Sequence, residues 1–428
     1  MKIVLVNKFH WRKGGSETYY FALAEGLRSL GHEVHFFSME DDRNEPCEDS
    51  DLFVSNRDYN GPTSLASKVS AAASIVYSNE AKRKFQELCE RVHPDIVHMN
   101  LVHRQITLSI LDAPYLKQNR IPILFTAHDY ILVCPNYTML DGSGRVCEAC
   151  IDGRFSNCLK RKCVKGSTVK SGMALLEAEY LRLSRAYRKI DRVISPSRFL
   201  AHKMIEGGLA SDRVIWMPNY LLDADAHAID AVEPVKTSKP YLLYFGRLSE
   251  EKGIEVLIEA FSKAKANGIG FDLKVAGEGP LRQTLEEKSR HVCTSGAIEF
   301  LGFKTGDELR SLVKGAAFTV VPSTWYENMP YSVVESLAAG TPVIGSGIGG
   351  IPELIENGKT GLVASPGKVD DLRDCIEKGW NLFQDQATYS AMQSDCRDFG
   401  ASHCSQARYM NALISLYQDL IELKKEKA

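Results

Sequence analysis

Short apolar runs rich in β-branched residues recur along this chain, and each is followed by a turn and a stretch with helical spacing. The first run, KIVLV at residues 2–6, leads through a loop containing GGSE into an amphipathic stretch over residues 18–30 that ends at Gly31. Such runs indicate strands buried on both faces, and their alternation with helices is typical of parallel sheets. The sequence therefore predicts an α/β fold with doubly wound sheets.

The alternation occurs in both halves of the chain. The strands predicted in the first half include EVHFFSM, DIVHM, PILFTAHD and DRVISPS, and those in the second half are YLLYFG, FDLKVAG, IEFLG, FTVVPS and TPVIGS. An aperiodic stretch at about residues 222–238 is predicted to be the linker between them. We therefore expect Rossmann-like domains over 1–221 and 236–400, and a C-terminal helix within 401–428 that packs back on the first domain.

Composition agrees with a globular enzyme, since 44% of the 428 residues are hydrophobic and 25% are charged. The first residues lack the longer apolar core of a secretion signal, and no segment approaches the roughly eighteen apolar residues of a membrane span. The chain is therefore expected in the cytoplasm, where thiols stay reduced. The net charge is -2, yet residues 151–200 contain twelve Lys and Arg against four Asp and Glu.

Two basic residues follow the first strand of the second half. Ligands of open α/β sheets collect at the carboxyl ends of the strands, so the residues after each strand are candidates for binding. Arg247 and Lys252 come after YLLYFG and could clamp a diphosphate, although such a pair at a helix start is more often solvated. The next strand ends at Gly277, in a small-residue turn that lets a ligand approach the backbone.

Two glutamates flank the start of a later helix. Glu327 follows a predicted strand, and Glu335 lies eight positions further on, in a helix expected to begin near Tyr331 or Ser332. A carboxylate accepts two hydroxyl hydrogen bonds, and the amides at a helix N-terminus bind phosphate. The pair alone is weak evidence, because two glutamates at this spacing are common.

In combination these motifs resemble the retaining GT-B glycosyltransferases of glycosyltransferase group 1, also called family 4. The resemblance spans the chain in order and rests on GGSE, GRLSEEKG, VAGEGP, the Glu-x7-Glu pair in ENMPYSVVE, and IGGIPELI with the following NGKTGLV. It implies two Rossmann-like domains that face each other across a cleft. It also implies transfer of a sugar from a nucleoside diphosphate sugar to a hydroxyl of a lipid-linked or polysaccharide glycan.

The resemblance assigns roles to the residues after the strands. Arg247 and Lys252 would hold the donor diphosphate. Glu335 would bind the ribose hydroxyls, and Glu327 the hydroxyls of the donor sugar. The other implied donor contacts are the backbone amides of Asn328, Met329 and Pro330, the glycines Gly14 and Gly15 from across the cleft, Gly277, and Gly302 and Phe303 beside the base. The family often has glycine, phenylalanine and glycine at positions 328–330, so the identity of the sugar stays open.

His128, in TAHD, ends a predicted strand of the first half. A lone histidine at a strand end is more often structural, but the resemblance implies that it contacts the donor sugar near the reacting carbon. The implied reaction is a front-face displacement with retention, in which the departing diphosphate accepts the acceptor's proton and Arg247 and Lys252 stabilise its charge. No Asp-x-Asp motif lies in a strand-end loop, so catalysis is expected to need no metal or other cofactor.

Two other classes of function remain open. A sugar-nucleotide epimerase shares the two-domain architecture and would convert a nucleotide sugar with no acceptor present. A non-catalytic sugar-nucleotide sensor or scaffold would use the cysteine-rich segment for partner contacts, but the presence of Glu327, Lys252 and His128 counts against it. Fold similarity by itself excludes neither class.

An insertion at about residues 134–165, directly after His128, contains five of the eleven cysteines. Cys147 and Cys150 have the C-x2-C spacing that lets two thiolates bind one zinc ion. A structural zinc would fasten a segment with too few apolar residues for its own core. Free thiols and an iron–sulfur cluster are the alternatives. Cys158 is set aside because its surroundings look helical, so the predicted zinc ligands are Cys134, Cys147, Cys150 and Cys163.

Basic residues continue beyond the cysteines. Such a segment could attract an anionic bilayer that carries a lipid-linked acceptor, which would put the protein at the inner face of the cytoplasmic membrane. A solvated helix face is the alternative. Nucleic acid is a poorer partner, because no aromatic residues are interleaved with the charges. The basic residues are Lys160, Arg161, Lys162, Lys165, Lys170, Arg182, Arg185, Arg188 and Lys189.

Overall fold

The computed structural model describes residues 1–56, 74–293 and 295–426. The described chain forms two compact units, one from Met1–Met217 with Ala407–Ala428 and the other from Pro218–Gln406. Each unit contains a sheet of six described strands, and all the pairings within it are parallel. The predicted α/β fold with two doubly wound sheets is confirmed.

The sheet of the first unit has the strand order β2-β1-β3-β4-β5-β6. The chain runs outward from β1 to β2 and then returns to the other side of β1, so the strand order reverses between β1 and β3. The strands are β1 Lys2–Val6, β2 Glu33–Phe37, β3 Ile96–Met99, β4 Ile123–Thr126, β5 Arg192–Ser195 and β6 Val214–Trp216. The α-helices among them are α1 Gly15–Ser29, α2 Asn79–Val92, α3 Pro114–Gln118, α4 Ser156–Lys160, α5 Thr168–Leu183 and α6 Arg198–Glu206.

The sheet of the second unit has the order β12-β11-β10-β7-β8-β9, and it reverses between β7 and β10. Its strands are β7 Tyr241–Phe245, β8 Asp272–Ala276, β9 Ile298–Gly302, β10 Phe318–Val321, β11 Val343–Ser346 and β12 Gly361–Ala364. The helices are α7 Asp223–Ala231, α8 Ile254–Ala266, α9 Arg282–Val292, α10 Gly306–Gly315, α11 Tyr331–Ala338, α12 Val369–Gln384 and α13 Gln386–His403.

The last helix, α14 (Gln406–Glu426), packs against the first unit. Two of its buried tyrosines contact the rest of the unit. The hydroxyl oxygens of Tyr409 and of Tyr19, which lies in α1, are 2.5 Å apart, and the Tyr417 hydroxyl lies 2.6 Å from Nδ1 of His98, which lies in β3. Residues 427 and 428 of the predicted C-terminal segment lie outside the described residues. None of the described helices is long and apolar enough to cross a membrane.

The stretch predicted to be an aperiodic linker, residues 222–238, contains helix α7 instead. Its sequence, DADAHAIDA, has two aspartates in the first turn, where they favour helix formation, and four alanines. Ile229 is buried in a core of the second unit together with Val333 and Leu337. The prediction was wrong because so short a helix, with a single large apolar residue, has little periodicity to detect.

Candidate functional site

The two candidate residues Lys252 and Glu327 meet at the carboxyl edge of the second sheet. Lys252 follows β7 and Glu327 follows β10, the two neighbouring strands between which the strand order reverses. Nζ of Lys252 lies 2.6 Å from Oε1 of Glu327. A switch point of this kind opens a crevice at the edge of an α/β sheet, where ligands bind.

Glu327 is buried and remains an ionised carboxylate. Burial by itself would raise its pKa, but the charge and hydrogen bond of Lys252, together with hydrogen bonds from Trp325 and Ser323, hold the pKa below the ordinary value. The Ser323 hydroxyl donates a further hydrogen bond to Oε1 at 2.7 Å. The site therefore contains a fixed acceptor of hydroxyl hydrogen bonds beside a partly exposed ammonium group.

Two glycines allow this pair to approach. Gly253 has a φ of +68°, and a Cβ there would lie 2.0 Å from the carbonyl oxygen of Pro322. Gly349 has a φ of +62°, and a Cβ there would lie 2.2 Å from the carbonyl oxygen of Glu327. Any other residue would force these segments apart, so GRLSEEKG and IGGIPELI set the position of the ion pair.

The neighbouring strand ends contribute backbone and two exposed side chains. The N–H of Gly277 donates to the carbonyl of Gly302 at 2.8 Å, which ties the ends of β8 and β9 together. Arg247 is exposed, and its carbonyl accepts a hydrogen bond from the Tyr244 hydroxyl at 2.7 Å. The ring of Phe303 is 71% exposed just beyond β9, so it remains a candidate for stacking on a base.

Glu335 lies in α11, which begins at Tyr331 as predicted. Burial, with an added contribution from the charge of Asp225, raises its pKa to about 7, and Arg310 acts in the opposite direction. Arg310 is itself paired with Asp225, with Nη2 and Oδ1 2.7 Å apart. Glu335 therefore changes its charge near neutral pH.

The expectation that three backbone amides at 328–330 face the ligand is wrong for Pro330. Proline has no backbone N–H, and Pro330 instead forms the N-cap position of α11. The Met329 side chain is buried in a core of the second unit, and its sulfur accepts the N–H of Asn219 at 2.9 Å. Asn328 is half-buried.

His128 lies in the first unit, after β4, and is fixed by two neighbours. Its Nε2 lies 2.9 Å from Oδ1 of Asn100, and its ring packs edge-on against Tyr19 with the centroids 4.9 Å apart. Burial lowers the pKa of His128 to about 3, so the imidazole is neutral at physiological pH. Because an amide oxygen accepts, Nε2 carries the hydrogen and Nδ1 is a hydrogen-bond acceptor.

Gly14 and Gly15 stand at the N-terminus of α1, where both are exposed. The carbonyl of Gly14 accepts the N–H of Thr18 at 2.9 Å and so starts the helix. Glu17, the last residue of GGSE, is buried, and burial raises its pKa. The glycines therefore expose the amides of a helix start, as an anion site requires.

The insertion brings its five cysteines to one small cavity. Within the described residues, however, no three His, Cys, Asp or Glu side chains are placed as the ligands of one metal ion. All eleven cysteines are free thiols. The cavity is lined by Val133, Cys134, Met139, Leu140, Cys147, Glu148, Cys150, Ile151, Cys158 and Cys163.

The sequence analysis missed three residues that act on the candidates. Asn100 and Ser323 form hydrogen bonds to His128 and Glu327, and the charge of Arg310 acts on Glu335. Asn100 directly follows β3 and Ser323 lies two residues after β10, so a polar residue at the end of each apolar run was the available signal. Arg310 lies within α10 and had no such signal.

Two family models match the chain. The model described as Glycosyltransferase Family 4 matches residues 13–220, and the model described as Glycosyl transferases group 1 matches residues 225–392. The two matches follow each other along the chain and cover all the described strands except β1.

Individual curated relatives each match one part of this chain, whereas a solved structure matches nearly all of it at lower sequence identity. An uncharacterized glycosyltransferase of Methanocaldococcus jannaschii is 36% identical over 138 residues, which are 32% of this chain and 35% of the relative. A glycogen synthase of Mycobacterium tuberculosis is 36% identical over 192 residues, 44% of this chain and 45% of the relative. The chain thus spans less than half the length of these relatives.

A solved structure, Anabaena HepE in complex with UDP, has the same fold, with a TM-score of 0.68 at 16% identity over 98% of this chain and 100% of that one. At this identity the likeness concerns the fold alone. Residues 13–220 therefore match a glycosyltransferase family 4 domain, and residues 225–392 match a glycosyl transferases group 1 domain.

Proposed function

We propose that this protein is a retaining glycosyltransferase that moves a sugar from a nucleoside diphosphate sugar to a hydroxyl of a lipid-linked or polysaccharide glycan. The observation that carries the proposal is the contact between Lys252 and Glu327 at the switch point of the second sheet. A cation for the leaving diphosphate and a carboxylate for sugar hydroxyls are the two groups that such a donor requires side by side.

The chemistry follows from the charges of these groups. The acceptor oxygen bonds to the anomeric carbon as the bond from that carbon to the diphosphate oxygen breaks, and the acceptor's proton passes to the departing diphosphate. Lys252 and the exposed Arg247 stabilise the negative charge that develops there. In the proposed reaction these two side chains supply the positive charge that a divalent metal ion would otherwise supply.

His128 acts in this proposal as a neutral hydrogen-bonding group. Burial lowers its pKa to about 3, so it does not supply a proton at neutral pH. Asn100 fixes the hydrogen on Nε2, which leaves Nδ1 to accept a hydrogen bond from a hydroxyl of the donor sugar. His128 thereby orients the sugar near its reacting carbon.

The exposed apolar face of helix α5 favours an acceptor that is bound in a membrane. Its Val169, Leu176 and Leu183 are 74%, 64% and 73% exposed, and Tyr180 is 37% exposed. Their spacing of seven, four and three residues puts them on one face of the helix. The segment also carries the excess of basic charge, so we propose that it lies on an anionic bilayer at the inner face of the cytoplasmic membrane.

A screen of nucleotide sugars tests the donor assignment. We expect one of UDP-, GDP- or ADP-sugars to raise the melting temperature of the full chain selectively, because a ligand that binds only the folded state stabilises it. UDP-glucose is the first candidate, since a structure of Anabaena HepE contains UDP-glucose. Failure of all three classes to bind would contradict the proposal. Conversion of a bound nucleotide sugar without an acceptor would instead favour an epimerase.

The same screen tests the role of Glu335. Its pKa of about 7 means that the carboxylate forms as the pH rises through neutrality. Only the ionised form accepts both ribose hydroxyls, so donor binding should tighten over this range. Glu335→Gln should weaken binding by about tenfold above neutral pH and flatten the profile. An unchanged pH profile in this variant would rule out the assigned role.

A further inference from the structure

The core of the cysteine insertion consists largely of thiols. Its buried cluster comprises Cys150, Cys158, Cys163, Val164 and Ala174, against which Phe155 packs. Three of these five buried side chains are cysteines. Small segments with so little apolar surface need another fastening, and the free thiols form no disulfide.

The backbone of the insertion is held mainly by turns. The N–H of Cys147 donates to the carbonyl of Met139, and that of Asp141 to Arg145, each at 2.8 Å. Helix α4 adds only five residues. These turns bring cysteines that are up to 29 positions apart in sequence, Cys134 and Cys163, to the lining of one cavity.

Backbone N–H groups lie close to three of the sulfurs. Those of Asn136 and Met139 lie beside Cys134. That of Cys158 lies beside Cys150 and donates to the carbonyl of Phe155 at 3.0 Å, and that of Gly142 lies beside Cys163 and donates to the carbonyl of Arg161 at 3.1 Å.

Cys147 receives its hydrogen bond from the guanidinium of Arg161, whose Nη1 lies 3.3 Å from Sγ. Donors directed at sulfur stabilise a thiolate, and such partners hold the ligands of a metal site in place.

Cys158 differs from the other four. Its side chain is 1% exposed, against 7% or 8% for Cys134, Cys150 and Cys163, and Cys147 is half-buried. Its place in helix α4 does not separate it from the others, because it lines the same cavity. Deeper burial, and not the helix, distinguishes Cys158 from the other four cysteines.

We propose that the insertion binds one structural zinc ion through Cys134, Cys147, Cys150 and Cys163. Zinc takes four thiolates in tetrahedral geometry, and the ion would draw together these four side chains, which line one cavity. The four thiols release their protons to solvent on binding. Zinc with four thiolates carries two negative charges, which Arg161 and the neighbouring Lys160 and Lys162 offset.

The metal content of the full chain, purified under reducing conditions without chelators, tests this proposal. We expect one zinc ion per chain by elemental analysis. After exchange for Co²⁺, the absorption of a tetrahedral thiolate complex should appear. Cys147→Ser and Cys150→Ser should lose the metal, whereas Cys158→Ser and Cys293→Ser, the latter outside the insertion, should keep it.

The urea-unfolding transition of the first unit, which contains the insertion, serves as the check that each variant has folded. If a variant fails to fold, chelation of the wild-type chain replaces it, and removal of zinc should then make residues 134–165 sensitive to protease. Absence of metal in the untreated protein, iron with inorganic sulfide, zinc retained in Cys147→Ser, or zinc lost in Cys158→Ser would each overturn the proposal.

Discussion

At the scale of single residues, Lys252 and Glu327 depend on each other for stability as well as for function. Glu327 is 6% exposed, so Lys252→Met leaves a buried carboxylate without its partner. We expect this variant to lower the free energy of unfolding by on the order of 2 kcal/mol, less than for a fully buried pair because Lys252 is partly exposed. Denaturant unfolding measures the change.

The double variant Lys252→Met with Glu327→Gln separates stability from function. The double variant removes both charges, so it should regain part of the lost stability. The two single variants, Lys252→Met and Glu327→Gln, and the double variant should all transfer sugar at least about a hundredfold more slowly than the unmodified protein. Stability losses that simply add would show that the two side chains do not interact. Near-normal transfer by any of the three variants would contradict the proposed role of the pair.

The sequence identifies reactive residues such as Lys252 and Glu327 more readily than the residues that determine their positions and charges. Lys252 and Glu327 lie in motifs after strands, where side-chain chemistry stands out. Their contact joins positions 75 apart and requires two glycines that each exclude a Cβ. Arg310 acts on Glu335 from a different helix, and no local pattern connects them.

At the scale of elements, helix α14 stabilises the first unit through a buried hydrogen bond. The Tyr417 hydroxyl lies 2.6 Å from Nδ1 of His98, whose Nε2 lies 2.7 Å from the Thr126 hydroxyl. Tyr417→Phe would leave Nδ1 of His98 without this partner. We expect a loss of about 1 to 3 kcal/mol in the unfolding free energy of the first unit.

Tyr409→Phe is the matched control on the same helix. The hydroxyl of its partner, Tyr19, also lies 3.2 Å from that of Thr126, so the loss should be smaller. Unfolding is followed in urea with and without the donor nucleotide. The nucleotide should shift the unfolding transition of the second unit and so distinguish it from the transition of the first unit. An equal loss of unfolding free energy in both variants would show that the hydrogen bond between Tyr417 and His98 stabilises the first unit no more than the one between Tyr409 and Tyr19.

The elements themselves were predictable where the apolar run was long. KIVLV forms β1 over the predicted residues, Lys2–Val6. Strands β6 and β12 were not among the predicted strands, because VIW and GLVA are runs of three and four residues with little to distinguish them from loops. Helix α7 escaped for the same reason, since only Ile229 anchors it in a core.

At the scale of the whole molecule, charge is distributed unevenly along the chain. The net charge is -2, but residues 151–200 carry an excess of eight positive charges, twelve against four, and include the exposed apolar face of α5. A bilayer with anionic headgroups complements both features. The proposed orientation would bring the first unit to the surface from which a lipid-linked acceptor is reached.

Vesicle binding tests this surface. The full chain should bind vesicles containing anionic phospholipid, bind neutral vesicles weakly, and dissociate as salt rises. Leu176→Glu and Leu183→Glu should each weaken binding about tenfold, because each removes a side chain that inserts and adds a repelled charge. Val292→Glu, which places the same charge at an exposed apolar residue of the second unit, should leave binding unchanged. Equal losses in all three variants would mean that α5 is not the contact and that net charge alone governs the interaction.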